Sequence, residues 1–267
     1  MKAFINHLFF NLKSGIRDRS LLLMNYLFPI AFYLVIGGIM PKLNPNYGEN
    51  LIPSMMIFVI IVSTLLGMPN DIVISRNDGI FRSYKINGVP KLSIISIPTI
   101  STAIHSIIVT IFIVITAPIL FNVEINFNPL SMIIVFICMY VACSGLALII
   151  GTVADNTSLT LLLAQLIFLP SMLIGGLMFP SSNLPSSLAK AGRLLPTSYA
   201  MNLFQALNGT GNAAFGSEIS IVILLLSGLI SYVLAIYLYR SDSNYRSKKL
   251  FLGLFSMMPF LVGMLVL

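Results

Sequence analysis

Residues 92–123, LSIISIPTISTAIHSIIVTIFIVITAPILFNV, form a long run without a charged side chain. Crossing the hydrocarbon core of a bilayer takes about 20 helical residues, so this run is long enough to span a membrane. A helix satisfies its own backbone hydrogen bonds, which lipid cannot do. The run therefore predicts a transmembrane α-helix that Pro98 and Pro118 bound or kink.

Long intervals without Asp, Glu, Lys or Arg recur along the chain, which is 57% apolar and only 9% charged. A soluble domain carries about 25% charged residues, so a water-soluble fold is excluded. We predict an all-α, polytopic membrane protein that forms a single domain over residues 1–267. Its six transmembrane helices are expected near residues 20–40, 51–70, 94–121, 131–153, 158–178 and 219–239, within a core of residues 20–240.

The distribution of Lys and Arg predicts the orientation of these helices. With the N-terminus inside, the cytoplasmic segments hold 12 basic residues, and the outer segments hold three, Lys42, Lys190 and Arg193. This bias places the N-terminus in the cytoplasm. The net charge of +7 lies in these loops without a basic stripe interleaved with aromatic residues, so no nucleic-acid partner is expected.

Both ends of the chain carry an additional element. In residues 1–19 the apolar side chains recur at helical spacing and predict an amphipathic helix in the cytoplasmic interface, although a plain basic flank is the alternative. These side chains are Phe4, Ile5, Leu8, Phe9, Leu12 and Ile16. In residues 241–267 a basic tail precedes an uncharged stretch from Leu250 to Leu267. That stretch either crosses the membrane as a seventh helix or, because of Pro259 and Gly263, bends along the interface.

Few residues have the pattern of a catalytic or metal site. His105 lies in the third predicted helix and is either a functional intramembrane group or a side chain hydrogen-bonded to a neighbouring helix. Cys138 and Cys143 fit small buried apolar residues. The phosphate-binding pattern G-x-x-x-x-G-K-[ST] does not occur in the sequence, so ATP would have to bind another polypeptide. The scarcity of charge within the predicted helices argues against proton or sodium coupling.

Residues 74–91, ISRNDGIFRSYKINGVPK, link the second and third predicted helices on the cytoplasmic side. Gly79 marks a turn, and Gly88 ends a short helix in which apolar residues mix with Arg82 and Lys85. This helix has the character to insert a small apolar face into a soluble partner. The alternative is an ordinary basic loop.

Residues 169–207, LPSMLIGGLMFPSSNLPSSLAKAGRLLPTSYAMNLFQAL, follow the fifth predicted helix. Repeated prolines predict short helical pieces at the outer interface that dip into the membrane without crossing it. We expect Tyr199 and Phe204 to anchor these pieces in the headgroup layer. The alternative is an external loop without a special role.

The two segments together resemble the permeases of the ABC-2 type export family. The cytoplasmic segment is similar to the family's R-E-x-G-T-L pattern at Arg76, Gly79 and, loosely, Phe81, but it has Asn77 where an acid is common and Asn87-Gly88 where Thr-Pro is common. The outer segment resembles the pattern G-x-x-F-P, L-P, L-P-x-x-Y and lacks the closing Arg. Its matching residues are Gly176, Phe179, Pro180, Leu184, Pro185, Leu195, Pro196 and Tyr199.

The resemblance implies an export permease of a bacterial cytoplasmic membrane, and the many Ile, Asn and Lys residues fit an AT-rich bacterial genome. Two copies of a separate ABC ATPase would bind ATP and Mg²⁺, with no cofactor in this chain, and a second permease copy or a homologue would complete the transporter. The cargo would be lipophilic or amphiphilic. The expected coupling residues are Arg76, Gly79, Phe81, Arg82, Tyr84 and Lys85. An ion-coupled transporter or channel, or an intramembrane enzyme, is the alternative.

Overall fold

The computed structural model describes residues 2–44, 47–179, 184–209, 213–239 and 250–267. Six long apolar helices follow an N-terminal helix, α1 (Lys2–Arg17). They are α2 (Arg19–Leu43), α3 (Gly48–Asn77), α5 (Lys91–Phe121), α6 (Pro129–Val153), α7 (Thr157–Ile174) and α10 (Ser217–Leu238). The shorter helices are α4 (Ile80–Ile86), α8 (Ser186–Gly192), α9 (Pro196–Asn208) and α11 (Met258–Val266), the last preceded by a 3₁₀ helix at Leu250–Met257.

The six long helices confirm the predicted polytopic all-α fold. Two boundaries differ from the prediction by several residues. Helix α3 continues to Asn77 instead of ending near residue 70, and α7 ends at Ile174 instead of residue 178. The early end of α7 has a local cause, because Gly176 adopts a left-handed conformation with φ 86°. Pro98 and Pro118 both lie inside α5, so neither of them bounds it.

Helix α3 forms the centre of the bundle. In the most apolar stretch of α3, 94% of the residues are buried within the chain. The corresponding share is 28% in α2 and 22% in α7. Helix α3 contacts α5 and α6 along its length, while α9 closes over its outer part. The poorly covered sides of α2 and α7 are therefore the parts of the bundle left to face lipid or another subunit.

Helices α6 and α10 pack closely because each presents a glycine to the other. A Cβ on Gly228 would lie 2.5 Å from Val141 Cγ1 and 2.7 Å from the Val141 carbonyl oxygen, and a Cβ on Gly145 would lie 2.9 Å from the Gly228 carbonyl oxygen. Small residues let membrane helices approach until their backbones touch. This pair makes the most extensive contact between two spanning helices in the described part of the chain.

Helices α2 and α3 each contain a π-helical stretch, at Leu23–Leu27 and Val62–Gly67. The two stretches contact each other. Such stretches widen a helix locally and occur often at functional sites. Here the buried amide of Asn25 lies opposite Gly67, so the cytoplasmic halves of α2 and α3 meet through a polar, irregular contact.

Candidate functional site

The chain reverses direction between α3 and α4 at a left-handed glycine. Gly79 has φ 76°, and Gly88, just after α4, has φ 72°. Both are values that glycine adopts without strain. The predicted short cytoplasmic helix is therefore present as α4, between the two predicted glycines.

Arg76, in the last turn of α3, is buried within the chain. Its guanidinium donates hydrogen bonds to the carbonyl oxygens of Gly151 and Thr152, both at 3.2 Å, and to that of Ala154. These carbonyls belong to the C-terminal end of α6, where backbone acceptors lack helical partners and the helix dipole favours a cation. Arg76 thus ties α3 to α6, in contrast to the surface contact that the resemblance implied.

Helix α4 has an inner and an outer face. Phe81 is only 5% exposed, and its ring lies 5.8 Å from that of Tyr239 at the inner end of α10. Tyr84 is half-buried, whereas Arg82, Lys85 and Ile86 are exposed. Phe81 is among the expected coupling residues, but a direct contact of its ring with a partner does not fit this arrangement, because Phe81 already packs inside the chain.

Tyr84 connects α4 to the N-terminal helix. The rings of His7 and Tyr84 meet edge to face with centroids 4.8 Å apart, beside a cavity of about 30 Å³ that Asn11, Asp71 and Ser75 also line. Burial lowers the pKa of His7 from its ordinary value. Burial also raises the pKa of Tyr84, and the Asp71 carboxylate raises it further. Both rings therefore meet in their neutral forms near pH 7.

Helix α1 lies along α5 and confirms the helix expected in residues 1–19. Its apolar side chains do not all face the bundle: Leu8 and Leu12 are half-buried, while Phe9 is exposed. Gly15 sits against His105, where a Cβ would lie 2.5 Å from Nε2. The other ring nitrogen of His105, Nδ1, is 2.6 Å from the hydroxyl of Tyr26 in α2. The hydrogen bond between His105 and a neighbouring helix that the sequence suggested is therefore present.

The outer segment begins where α7 ends. Gly176 makes the turn, Phe179 is half-exposed, and Pro180 lies outside the described residues. Pro185 precedes α8, and Pro196 is the first residue of α9, where its missing N–H costs no helical hydrogen bond. The prolines therefore divide this segment into short helices, as the sequence predicts.

Tyr199 and Phe204 in α9 are both fully buried. Their predicted role as anchors in the headgroup layer is therefore wrong. The ring of Tyr199 lies between those of Phe215 and Phe260, at centroid distances of 5.5 and 5.6 Å. Burial raises the pKa of Tyr199 to about 12, so its hydroxyl stays neutral. Helix α9 is an internal part of the bundle rather than a surface piece.

Two asparagines of α9 hydrogen-bond to the segments that precede α6 and α10. Neither residue was predicted from the sequence. Asn202 donates to the carbonyl of Phe215 at 2.9 Å and accepts from the N–H of Ala214 at 2.7 Å, just before α10. Asn208 accepts from the N–H of Asn128 at 2.9 Å, at the start of α6. The amide side chains themselves were the available signal, because burying an amide is costly unless it is hydrogen-bonded.

A cleft of about 230 Å³ opens at the ends of α2, α3 and α7 that the Lys and Arg distribution places on the cytoplasmic side. Its lining combines polar side chains, including Ser20, Asn70 and Ser158, with apolar ones such as Met24 and Leu161. The cleft lies between α2 and α7, the two spanning helices that the chain covers least. Its chemistry matches a molecule with one polar and one apolar end.

Comparison with known proteins identifies the class of the chain. The model of the ABC-2 family transporter protein matches residues 39–237, which is most of the chain and includes both α4 and the outer segment. The chain belongs to this family. No curated protein and no solved structure matches it.

Family membership makes the chain a multi-pass membrane subunit of a transporter, which is not itself catalytic and works with an ABC ATPase. Within the part of the chain that the structure describes, no three His, Cys, Asp or Glu side chains gather as a metal site would require.

Proposed function

We propose that this chain is the permease subunit of an ATP-driven exporter in a bacterial cytoplasmic membrane. Two ATPase subunits would bind ATP and Mg²⁺, and a second permease, either another copy or a homologue, would complete the transporter. The proposal rests on one observation above all, the outward face of α4. That face presents Arg82, Lys85 and Ile86 on the side where the Lys and Arg distribution places the cytoplasm.

The contact with the ATPase is assigned to this outward face. Ile86 is 77% exposed and supplies an apolar tip, while Arg82 and Lys85 would steer it toward an acidic groove. Phe81 and Tyr84 lie on the inner face and have a different role in the proposal. They would pass a displacement of α4 to Tyr239 of α10 and His7 of α1, with which their rings are in contact.

Arg76 and Gly79 complete the proposed coupling. Arg76 joins the end of α3 to the end of α6, so a push on α4 would reach two spanning helices together. Gly79 would let α4 tilt at its junction with α3, since its left-handed backbone has no side chain to obstruct it. ATP-driven closure of the ATPase pair would in this way change the arrangement of the spanning helices.

The proposed cargo is lipophilic or amphiphilic, such as an antibiotic, a peptide, a lipid or a lipid-linked glycan. The cleft between α2, α3 and α7 supports this class, because polar and apolar side chains line it together. A ligand site of this kind is mostly apolar with a few convergent polar groups.

The test is a pull-down of the tagged chain from native membranes in mild detergent, with mass spectrometry of the proteins that co-purify. We expect an ABC ATPase in a stoichiometric amount. The double change Ile86→Asp and Arg82→Glu should remove the ATPase, because it reverses both the apolar and the electrostatic contribution of α4. Lys42→Glu makes the same charge change as Arg82→Glu but at the outer end of α2, so it is the control and should retain the ATPase.

Absence of any ATPase from the wild-type sample, across several gentle detergents, would contradict the proposal and favour a self-contained transporter or channel. Retention of the ATPase by the double variant would contradict only the assignment of the contact to α4.

A further inference from the structure

We infer that residues 250–267 form a seventh membrane crossing, antiparallel to α10, and that this crossing positions Tyr199 of the outer segment. The inference concerns the topology of the chain and does not depend on the proposed transport activity. It rests on the contacts of four residues, Gly253, Ser256, Phe260 and Gly263.

The contacts order the segment from the inner to the outer side. Gly253 lies against Ile149 and Val153, at the end of α6. The Ser227 hydroxyl, halfway along α10, donates to the carbonyl oxygen of Ser256 at 3.0 Å. Because α6 and α10 both run inward in the predicted orientation, Gly253 lies near the cytoplasmic side and Ser256 deeper in the membrane.

The outer end of the segment meets α9 and the first turns of α10. Phe260 is fully buried with its ring 5.6 Å from that of Tyr199. A Cβ on Gly263 would lie 2.7 Å from Ile223 Cδ1 and would overlap the Tyr199 hydroxyl. The segment thus passes from the inner end of α6 to the level of the outer motif, which is a full traverse.

The length of the segment agrees with a crossing. A 3₁₀ helix rises about 2.0 Å per residue and an α-helix about 1.5 Å, so Leu250–Met257 and Met258–Val266 together extend about 30 Å, close to the hydrocarbon thickness. The 3₁₀ stretch makes this short segment long enough.

The exposed side chains exclude the alternative in which residues 250–267 bend along the membrane interface. A helix lying in the interface needs a polar face toward water. Ser256 is the one polar residue between positions 250 and 267, and it is buried. The exposed side chains are all apolar and include Phe251, Leu254, Phe255, Leu261, Val262, Leu265 and Val266. Lipid is the surrounding that suits such a surface.

Labelling of single cysteines in intact cells tests the crossing. In a background with Cys138→Ala and Cys143→Ala, Leu267→Cys should react with a membrane-impermeant maleimide as fast as Glu124→Cys, which lies in the outer loop after α5. Asp78→Cys, between α3 and α4, should react only after the cells are opened. Reaction of Leu267→Cys only in opened cells would overturn the crossing.

A double-mutant cycle tests the positioning of Tyr199. Gly263→Ala should lower the thermal midpoint of the purified protein by several degrees, because its methyl group takes the space of the Tyr199 hydroxyl. Tyr199→Phe removes that hydroxyl and should restore most of the loss when combined with Gly263→Ala. Gly38→Ala is the control, since nothing lies within 4 Å of its added Cβ. If Gly263→Ala lowers the thermal midpoint by the same amount in the wild type and in the Tyr199→Phe variant, the assignment is overturned.

Discussion

Arg76 is a buried cation that donates hydrogen bonds to the end of α6, a helix adjacent in space but distant in sequence. Arg76→Leu keeps an apolar stem but leaves the carbonyls of Gly151, Thr152 and Ala154 without this donor. Loss of a partner by a buried polar group costs about 1–3 kcal/mol. We expect a lower midpoint of thermal unfolding, by about 2–4 °C for each kcal/mol in a protein near this size.

Unfolding in detergent can be followed with a thiol-reactive dye, because Cys138 and Cys143 are both free and buried. Arg82→Leu, which removes the same charge from an exposed position, should leave the midpoint nearly unchanged. Arg76→Lys should fall between the two, since an ammonium group retains the charge without the fork of donors. Equal midpoints for Arg76→Leu and Arg82→Leu would show that the tie to α6 is not formed.

His7 makes the contact between α1 and α4 sensitive to pH. Burial lowers its pKa from the ordinary 6.5, so the folded chain favours the neutral ring. Above pH 6.5 the ring is neutral in both folded and unfolded chains, and as the pH falls through this range the unfolded chain binds the proton more readily. The contribution of His7 to stability should therefore decrease on acidification from pH 7.5 to 5.5.

The measurement is the midpoint of thermal unfolding by circular dichroism across that pH range. His7→Phe keeps a ring against Tyr84 but cannot bind a proton, so its midpoint should depend less steeply on pH. Parallel pH profiles for the variant and the wild type would contradict a role for His7.

At the scale of elements, the seam between α6 and α10 depends on the absence of side chains. Gly228→Ala would place a methyl group 2.7 Å from a carbonyl oxygen, and a backbone atom cannot rotate away. The helices must then separate, and overpacking of this kind costs about 1–3 kcal/mol. The thermal midpoint should fall.

Gly38→Ala in α2 is the matched control, and it should raise the thermal midpoint instead of lowering it. Its Cβ would meet nothing within 4 Å, and replacing a helical glycine without strain stabilises a protein by about 0.4–1 kcal/mol. A midpoint for Gly228→Ala that equals or exceeds that of Gly38→Ala would contradict the close packing of α6 on α10.

The existence of the spanning helices was predictable because length and charge are properties of a stretch taken alone. The direction in which a side chain points was harder to predict from the sequence. Arg76 turns inward because the end of α6 offers carbonyl acceptors 75 residues further along the chain. Phe81 turns inward because Tyr239 lies behind it, and Tyr199 because Phe260 does. None of these partners is a sequence neighbour, so motif position alone assigned all three to surfaces.

At the scale of the whole molecule, the two least covered helices, α2 and α7, border the cytoplasmic cleft. This arrangement fits the proposal that a second permease completes the site, since the uncovered sides need surroundings of low polarity, either lipid or protein. It also places the cleft beside the facing π-helical stretches of α2 and α3, where Met24, Leu65 and Leu66 line the wall. A change in how α2 meets α3 would alter the shape of the cleft.

Leu161 and Leu162 allow a matched test of the cleft as the cargo site. Both are exposed on α7, at 48% and 62%, but only Leu161 lines the cleft. Leu161→Trp should fill part of its volume and lower the stimulation of ATP hydrolysis by amphiphilic antibiotics and peptides several-fold. The assay uses the complex with its ATPase in nanodiscs, where basal hydrolysis should stay unchanged. Leu162→Trp adds the same side chain one position away and should retain the stimulation. Equal stimulation in the two variants would show that cargo binds elsewhere, and a wild-type complex that no amphiphile stimulates would contradict the proposed substrate class.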